Sequence, residues 1–366
     1  MAVAVSAQTQ NLTALLTSQP TLSNLTSFVS LFPSLLSELA SASNITILAP
    51  SNEAFSKFLN TTTISLNDTA AIQAILEYHV LNGTVYASEI TSTPAFVHSL
   101  LSNTSYTNVT GGQVVEAVSS GGNVTIYSGL LSNASVTSAN NNFTGGTVHI
   151  IDTVLTLPLN ISFTAAAAGL TSAAGALSQA GLVDAVDGLS DVTLFAPSNA
   201  AFQAIGSALG NLTTSQLAGI LEYHVVNGTV GYSSDLTNGQ KLTALNGETL
   251  TITIDNGTVF VNSAQVVTPN VLVANGVVHV IDNVLNPNAT TATPNPTATT
   301  QSVAFSGASS VSQVPFTSGV VVATTAPAAS TIAGKATSTA GAYAPLRTGA
   351  IGAAALFAAG NAWINA

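Results

Sequence analysis

Apolar residues recur at helical spacing in some parts of the chain and in short β-branched runs in others. Residues 25–39 carry apolar side chains at helical spacing around an internal proline, which predicts a helix broken at that proline. Residues 70–78 and 216–223 are predicted as helices that end close to an Asn-Gly pair. Residues 147–151 and 277–281 are rich in β-branched side chains, which is typical of strands.

A β-hairpin is predicted in the second half of the chain. Residues 250–254 alternate apolar and polar side chains, and residues 258–261 are rich in strand-forming side chains. Between them lies Asp255-Asn256-Gly257, a sequence that favours a tight turn. Residues 122–127 are the weaker counterpart in the first half. Because helices are followed by hairpins in each half, the pattern predicts the α+β class.

Three sequence blocks occur twice in the same order. The offsets between the copies are 147, 145 and 130 residues, so the second copy is shorter by 15 residues between its middle and last blocks. The blocks are residues 44–55, 75–85 and 146–152 in the first copy and 191–202, 220–230 and 276–282 in the second. Each copy is long enough for a core of its own, so we expect two copies of one domain.

Composition and net charge exclude several classes of function for this protein. Charged residues make up 5% of the 366 residues, hydrophobic residues 46%, and mean hydropathy is +0.48, whereas an ordinary soluble protein has roughly 25% charged residues. The net charge of −11 argues against a nucleic-acid partner. The chain has no cysteine, which excludes disulfides, thiolate metal sites and a cysteine nucleophile.

Asn-X-Ser/Thr sequons replace charge as the expected source of surface hydration. We interpret them as candidate N-glycosylation sites of a secreted protein. The sixteen are Asn11, Asn24, Asn44, Asn60, Asn67, Asn82, Asn103, Asn108, Asn123, Asn133, Asn142, Asn160, Asn211, Asn227, Asn256 and Asn288.

The two ends of the chain differ from its middle. Residues 1–9 are interpreted as the remainder of a signal peptide without its basic start. Residues 288–348 are rich in Ser, Thr and Pro, which predicts a disordered, O-glycosylated stalk. Residues 349–366 are apolar, and with small residues before them they resemble a lipid-anchor signal. A transmembrane helix and a plain disordered tail are the alternatives. The candidate attachment sites are Ser338, Gly334 and Ala340.

The repeated blocks resemble the fasciclin domain family. The first block, the central Tyr-His pair and the closing Val-His-X-Ile-Asp-X-Val-Leu block each occur twice. The resemblance implies two α+β domains, at 10–158 and 159–287, each a β-wedge or sandwich flanked by helices. It also implies an extracellular adhesion module, often tandem and often lipid-anchored. The absence of cysteine and the Ser/Thr-rich stalk resemble the features of fungal cell-surface members of this family.

The Tyr-His pairs are the candidate binding residues. They are Tyr78, His79, Tyr223 and His224. The alternative is that each histidine is buried and hydrogen-bonded, and ties a helix to a loop. We expect the same structural role for His149 and His279, and a turn-capping role for Asp152 and Asp282. His98 has no partner in the second copy, and two matched histidines per domain are fewer than metal sites usually need.

No sequence pattern indicates catalysis. The chain lacks a Gly-X-Ser-X-Gly elbow and a lysine-bearing phosphate loop. Glu77 and Glu222 occupy equivalent places, which fits solvated helix ends better than a pair of glycosidase carboxylates. We therefore expect that the protein is not an enzyme and that it has no catalytic residues, no metal site and no cofactor.

The expected function is adhesion. The sequence predicts a secreted or surface-anchored glycoprotein that joins cells to one another, or to matrix or cell wall. Its partners would be cell-surface, matrix or wall proteins or glycans, with a membrane contacted through a C-terminal GPI anchor. The alternatives are a structural wall or matrix component, a small-ligand or lipid binder, and a vacuolar or other endomembrane protein.

Overall fold

The computed structural model describes residues 10–61, 68–298 and 300–320. These residues form two compact units. The first contains residues 10–103 and 111–157, and the second contains residues 104–110 and the described part of 158–320. The predicted signal-peptide remainder, the apolar tail, the three anchor candidates and Asn67 lie outside the described residues.

Short helices form one side of the first domain. They are α1 (Leu12–Ser18), α2 (Ser23–Val29), α3 (Pro33–Ser41), α4 (Asn52–Thr61) and α5 (Thr69–Tyr78). The break expected in residues 25–39 is confirmed, since Pro33 stands in the first turn of α3. That position suits proline, because the first turn of a helix needs no partner for the missing N–H.

The strands of the first domain form one seven-stranded sheet. They are β1 (Ile45–Pro50), β2 (Val80–Asn82), β3 (Ala95–His98), β4 (Val114–Ser120), β5 (Asn123–Tyr127), β6 (Asn133–Phe143) and β7 (Gly146–Ile151). Their order is β2-β1-β7-β6-β5-β4-β3, and only β1 and β7 are parallel neighbours. A bridge between Leu81 and Ser99 brings the two edges together, so the sheet is nearly closed.

The helices pack on the parallel strand pair. Ile45, Ile47 and Ala49 of β1 and Val148 and Ile150 of β7 belong to one buried apolar cluster with α1 to α5. Alternate residues of a strand point to the same face, which explains the spacing of these five side chains. Burial of this face is the main favourable contribution to folding.

The second domain repeats this arrangement. Its helices are α6 (Ile161–Ala167), α7 (Thr171–Gln179), α8 (Val183–Asp187), α9 (Asn199–Ala204), α10 (Gly206–Leu209) and α11 (Thr214–Glu222). Its strands are β8 (Val192–Pro197), β9 (Val225–Val226), β10 (Lys241–Thr243), β11 (Thr249–Asp255), β12 (Thr258–Val261), β13 (Ala264–Val273) and β14 (Gly276–Ile281). The order is β10-β11-β12-β13-β14-β8-β9, and Leu245 N–H donates to Val225 O at 2.7 Å, which draws the two edges together.

The predicted fold class is confirmed in both domains. The predicted hairpin is β11 and β12, where Asp255 pairs with Thr258 and both Asn256 and Gly257 have positive φ, as a tight hairpin turn requires. Glycine is also required where each closing strand begins. A Cβ on Gly146 or Gly276 would overlap the backbone of the parallel neighbour, at Ile45 and Val192 respectively.

Residues 301–316, here called the C-terminal strap, contact the second domain. The stalk predicted from composition begins at residue 288, yet the side-chain amides of Asn283 and Asn286 donate to Ser302 O and Ala304 O. Further along, Val311 N–H donates to Gln203 O at 3.0 Å. These contacts give part of a Ser/Thr-rich segment the fixed partners that its composition alone does not provide.

Two glycines allow the strap to approach the helices. A Cβ on Gly175 of α7 would overlap the carbonyl oxygen of Phe316, and one on Gly206 of α10 would overlap Val311. The hydroxyl of Ser172, also on α7, donates to Pro315 O at 2.7 Å. The strap therefore lies against bare helix backbone.

The strap supplies a ring that the first domain carries on its own helix. In the first domain Phe28 of α2 contacts Phe55, with ring centroids 5.4 Å apart. Phe202 is the repeat counterpart of Phe55, and it contacts Phe316 of the strap at 5.8 Å. Asn24 N–H donates to the side chain of Asn52, and Ser172 N–H donates to that of Asn199, the repeat counterpart of Asn52. Asn24 and Ser172 are therefore equivalent, and four residues further along Phe28 corresponds to Ala176.

We predict that Gly175→Ala displaces the strap. The added methyl overlaps backbone, and overpacking of this kind costs about 1–3 kcal/mol. Limited proteolysis of the full chain should therefore cleave within residues 301–316 faster in the variant, and the thermal unfolding midpoint should fall. Gly219→Ala is the matched control, because a Cβ there meets nothing within 4 Å. Equal cleavage of the two variants would contradict the assignment.

Candidate functional site at the Tyr-His pairs

The repeat places each Tyr-His pair at the end of a helix. Helix α5 begins at a cap in which Asp68 accepts from Ala71 N–H, and α11 begins at a capping box formed by Thr213 and Gln216. Such caps satisfy backbone N–H groups that the helix itself leaves free. The two helices begin at equivalent residues and end one position apart, at Tyr78 and at Glu222. The tyrosine and histidine of each pair are directed into the domain.

His79 ties its helix to the segment after the closing strand. Leu155 N–H donates to Nε2 of His79 at 2.9 Å, so Nε2 carries no proton. Nδ1 therefore carries it and donates to Ile75 O at 2.7 Å. His224 repeats both bonds, with Ile220 O at 2.8 Å and Leu285 N–H at 2.9 Å.

The tyrosines reach the opposite part of the sheet. The Tyr78 hydroxyl donates to Val114 O at 2.8 Å, and the Tyr223 hydroxyl donates to Thr249 O at 2.9 Å. Tyr223 also accepts from the side-chain amide of Asn262 at 2.8 Å. All four side chains of the two pairs are buried, so the structure assigns them to internal bonds.

The second pair of histidines holds the loop that follows the Tyr-His segment. Nε2 of His149 contacts Val85 O at 2.8 Å, while Nδ1 accepts from Asn140 N–H at 3.3 Å. His279 makes the corresponding contacts with Gly231 O at 2.8 Å and Asn270 N–H at 3.3 Å. The structural role expected for these histidines matches this geometry.

Sequence reasoning did not single out a buried threonine in each domain. The Thr46 hydroxyl donates to Gly83 O and accepts from Val85 N–H, both at 2.8 Å. Thr193 makes the same two bonds with Thr229 O and Gly231 N–H. The available signal was the identical place of the two threonines in the first repeated block.

Burial keeps these histidines neutral. It lowers the pKa of His79, His224 and His279 to about 4 in each case, although the backbone hydrogen bond of each ring acts in the opposite direction. Burial likewise lowers the pKa of His149. An uncharged imidazole whose two nitrogens are both occupied has no free lone pair for a metal and no free base for catalysis.

The matched carboxylates lie at turns. Asp152 accepts from Ser135 N–H at 2.8 Å, and Asp282 accepts from Gln265 N–H at 2.7 Å, so both cap turns as expected. Burial raises the pKa of Asp282. Glu77 accepts a hydrogen bond from the side-chain amide of Gln73, and Glu222 belongs to the second domain.

Candidate metal ligands are not clustered in the part of the chain that the structure describes. No group of three or more His, Cys, Asp or Glu side chains there could hold an ion. His98 contacts Gly112 O at 2.8 Å through Nδ1. Within the same residues, none of the helices combines the length and the apolar character needed to cross a bilayer.

The sequons occupy the surface. Of the fifteen sequon asparagines within the described residues, thirteen are exposed, and Asn108 and Asn160 are half-exposed. The buried asparagines Asn262, Asn270, Asn275 and Asn283 are not in sequons. Capping also leaves the glycan-bearing atom available, because Asn11 uses Oδ1 to cap α1 while a glycan is attached at Nδ2.

Two segments of the chain match the fasciclin domain family, at residues 20–158 and 168–287. A fasciclin-like arabinogalactan protein of Arthroderma benhamiae is 38% identical over 305 residues, which cover 82% of this chain and 72% of that protein. The fasciclin-like arabinogalactan protein elcF of Phaeosphaeria nodorum is 35% identical over 278 residues, with coverage of 75% and 88%. Periostin of Homo sapiens is 32% identical over 154 residues, with coverage of 40% and 18%.

We predict that acid destabilises the fold through these histidines. Their pKa is near 4 when folded and near 6.5 when unfolded. The stabilisation is therefore complete above pH 6.5 and is lost as the pH falls towards 4, by at most about 3 kcal/mol per histidine. Glu77, Asp187 and Asp282 have raised pKa values and offset part of this loss.

Thermal unfolding at pH 7 and pH 4.5 measures the effect. His79→Gln keeps one donor and one acceptor but does not titrate, so it should lower stability at pH 7 and make the difference between the two pH values smaller. His98→Gln is the control, because His98 is only partly buried. An unchanged pH difference in His79→Gln would contradict the role given to this imidazole.

Proposed function

Since this chain belongs to the fasciclin domain family, we propose that it is a secreted glycoprotein whose two domains mediate adhesion at the cell surface, in the matrix or at the cell wall. The proposal is supported chiefly by the distribution of sequons, which are exposed at thirteen of fifteen described positions and buried at none. A protein with so few charges needs another hydrated surface, and glycans supply one.

The Tyr-His pairs act in this proposal as positioning residues. Their side chains are internal, but the backbone that follows them, residues 80–85 and 225–231, is held by the buried threonines and histidines described above. Asn82 and Asn227 in these segments are exposed sequon residues. The pairs would thus fix the point at which this surface segment begins, while the threonines and the other two histidines would fix its shape for a partner or a glycan.

The partner class follows from the surface chemistry. Among the described residues the recorded ion pair is the exposed Glu53–Lys57 contact, and such a pair contributes little energy. Charged residues make up only 5% of the chain, so we expect ion pairs to contribute little to partner binding. We propose polar and apolar contacts with a surface, matrix or wall protein or with a glycan, and tandem domains raise avidity where both engage.

We also propose surface attachment through a GPI anchor at Ser338, with Gly334 and Ala340 as the neighbouring candidates. The small residues, the spacer and the apolar residues 349–366 match the layout of such a signal. Retention in a vacuolar or other endomembrane compartment is the alternative location, and it requires residues 349–366 to remain in the protein.

The adhesion proposal predicts saturable binding. The full secreted chain, labelled and titrated onto cell-wall fractions and onto immobilised matrix proteins, should bind with a plateau and be displaced by unlabelled chain. Binding that rises linearly without competition would instead indicate a structural wall or matrix component.

Glycan occupancy is tested on the same preparation. Enzymatic removal of N-glycans should lower the intact mass, and Thr13→Ala should remove the glycan at Asn11 while leaving the helix-capping asparagine in place. A mass unaffected by the enzyme would overturn the glycoprotein part of the proposal.

The anchor proposal predicts a chain without tryptophan. Trp363 is the single tryptophan of the sequence, and it lies in the segment that anchor attachment removes. Intact mass and tryptophan emission of the protein released from membranes by a phosphatidylinositol-specific phospholipase should both show its absence. Retained Trp363 would exclude a cleaved anchor signal and favour the endomembrane alternative.

A further inference from the structure

The first domain contains an apolar cavity between its helices and β1. Its volume, measured as space for the centre of a water-sized sphere, is about 50 Å³. Side chains from α1 to α5 and from β1 line it, and His79 is the one polar residue among them. We propose that this cavity is a binding site for an uncharged, ring-sized hydrocarbon group, a role that goes beyond adhesion.

The size of the cavity sets the size of the ligand. A single water-sized sphere occupies about 10–15 Å³, and the space open to the centre of such a sphere is by itself about 50 Å³, so the cavity has room for several of them. That space suits one six-membered ring or a short alkyl chain. A steroid or a long acyl chain would reach well beyond it.

The lining excludes polar groups from the bound part of the ligand. The His79 ring has no free hydrogen-bonding atom, because Nδ1 is bonded to Ile75 O and Nε2 to Leu155 N–H. A hydroxyl or carboxylate inside the cavity would therefore lose its hydration without gaining a partner, which is costly. Water is disfavoured for the same reason, since buried waters need polar partners.

Aromatic side chains favour a ring as the occupant. Phe28, Phe55 and Phe58 all line the cavity, and aromatic rings in edge-to-face contact gain attraction beyond their buried area. Phe28 and Phe55 already adopt such an arrangement, with an interplanar angle of 64°. A ring inserted beside them would extend the same type of contact.

The cavity lies close to the surface. Phe28, Leu36 and Phe58 line it and are half-buried rather than buried. Leu31, which follows α2, is 71% exposed, and Leu59 of α4 is 47% exposed. A ligand would thus enter between α2, α3 and α4 past an apolar rim, without unfolding of the sheet.

The test compares toluene with phenol on the full chain. Toluene should bind with one saturable site per chain in titration calorimetry. Phenol has nearly the same shape and one hydroxyl, so it should bind at least tenfold more weakly. n-Hexane tests the alkyl alternative, and we expect it to bind more weakly than toluene. Absence of saturable toluene binding, equal binding of phenol, or tighter binding of n-hexane would overturn the proposal.

Variants at Val29 locate the site. Val29→Phe fills the cavity and should weaken toluene binding at least tenfold, whereas Val29→Ala enlarges the cavity and should bind toluene as tightly as the native chain or several-fold more tightly. Leu177→Ala is the matched truncation at the counterpart in the second domain, and it should leave toluene affinity unchanged.

Folding is checked separately, by cooperative thermal unfolding of each variant. If Val29→Phe folds and binds toluene like the native chain, the proposed site is wrong. If Val29→Phe does not fold, the other two variants test the site. Weaker toluene binding by Val29→Ala, or a changed toluene affinity in Leu177→Ala, would then overturn the assignment.

Discussion

The structure depends on a neutral imidazole buried at the end of one helix in each domain. His79 receives Leu155 N–H and donates to Ile75 O, and His224 does the same with Leu285 and Ile220. These bonds join the helix to the chain just after the closing strand. Because the N–H groups of Leu155 and Leu285 lie inside an apolar core, loss of the ring would leave each without the partner described above, which is costly.

The three repeated blocks meet at the loop that follows this imidazole, which explains why they occur as a set. The first block supplies Thr46, the second supplies the Tyr-His pair and the loop ending at Val85, and the third supplies His149. Each block thus forms hydrogen bonds with at least one of the other blocks. The spacing between the blocks varies between the two copies, but equivalent threonine and histidine side chains make the bonds. Their backbone partners shift by one position along the loop, from Gly83 and Val85 to Thr229 and Gly231.

The sequence was sufficient to predict the repeated domains, the helix break at Pro33 and the hairpin at Asn256-Gly257, because these depend on local pattern. It also indicated that the histidines would be internal, from their apolar neighbours. Closure of the sheet at Leu81 and Ser99 could not be predicted, since it depends on residues brought together only by the whole fold. The C-terminal strap was missed because its contacts depend on two glycines far away in the chain, Gly175 and Gly206.

The strap has a mechanical consequence. The chain beyond residue 320 continues from a segment held by backbone hydrogen bonds to Gln203 and Ser172 and by the ring of Phe316. Tension applied through that part of the chain would load these few contacts one after another before it reached the strands of the second sheet. The strap would therefore separate from the second domain before those strands do, and its separation would lengthen the extended part of the chain.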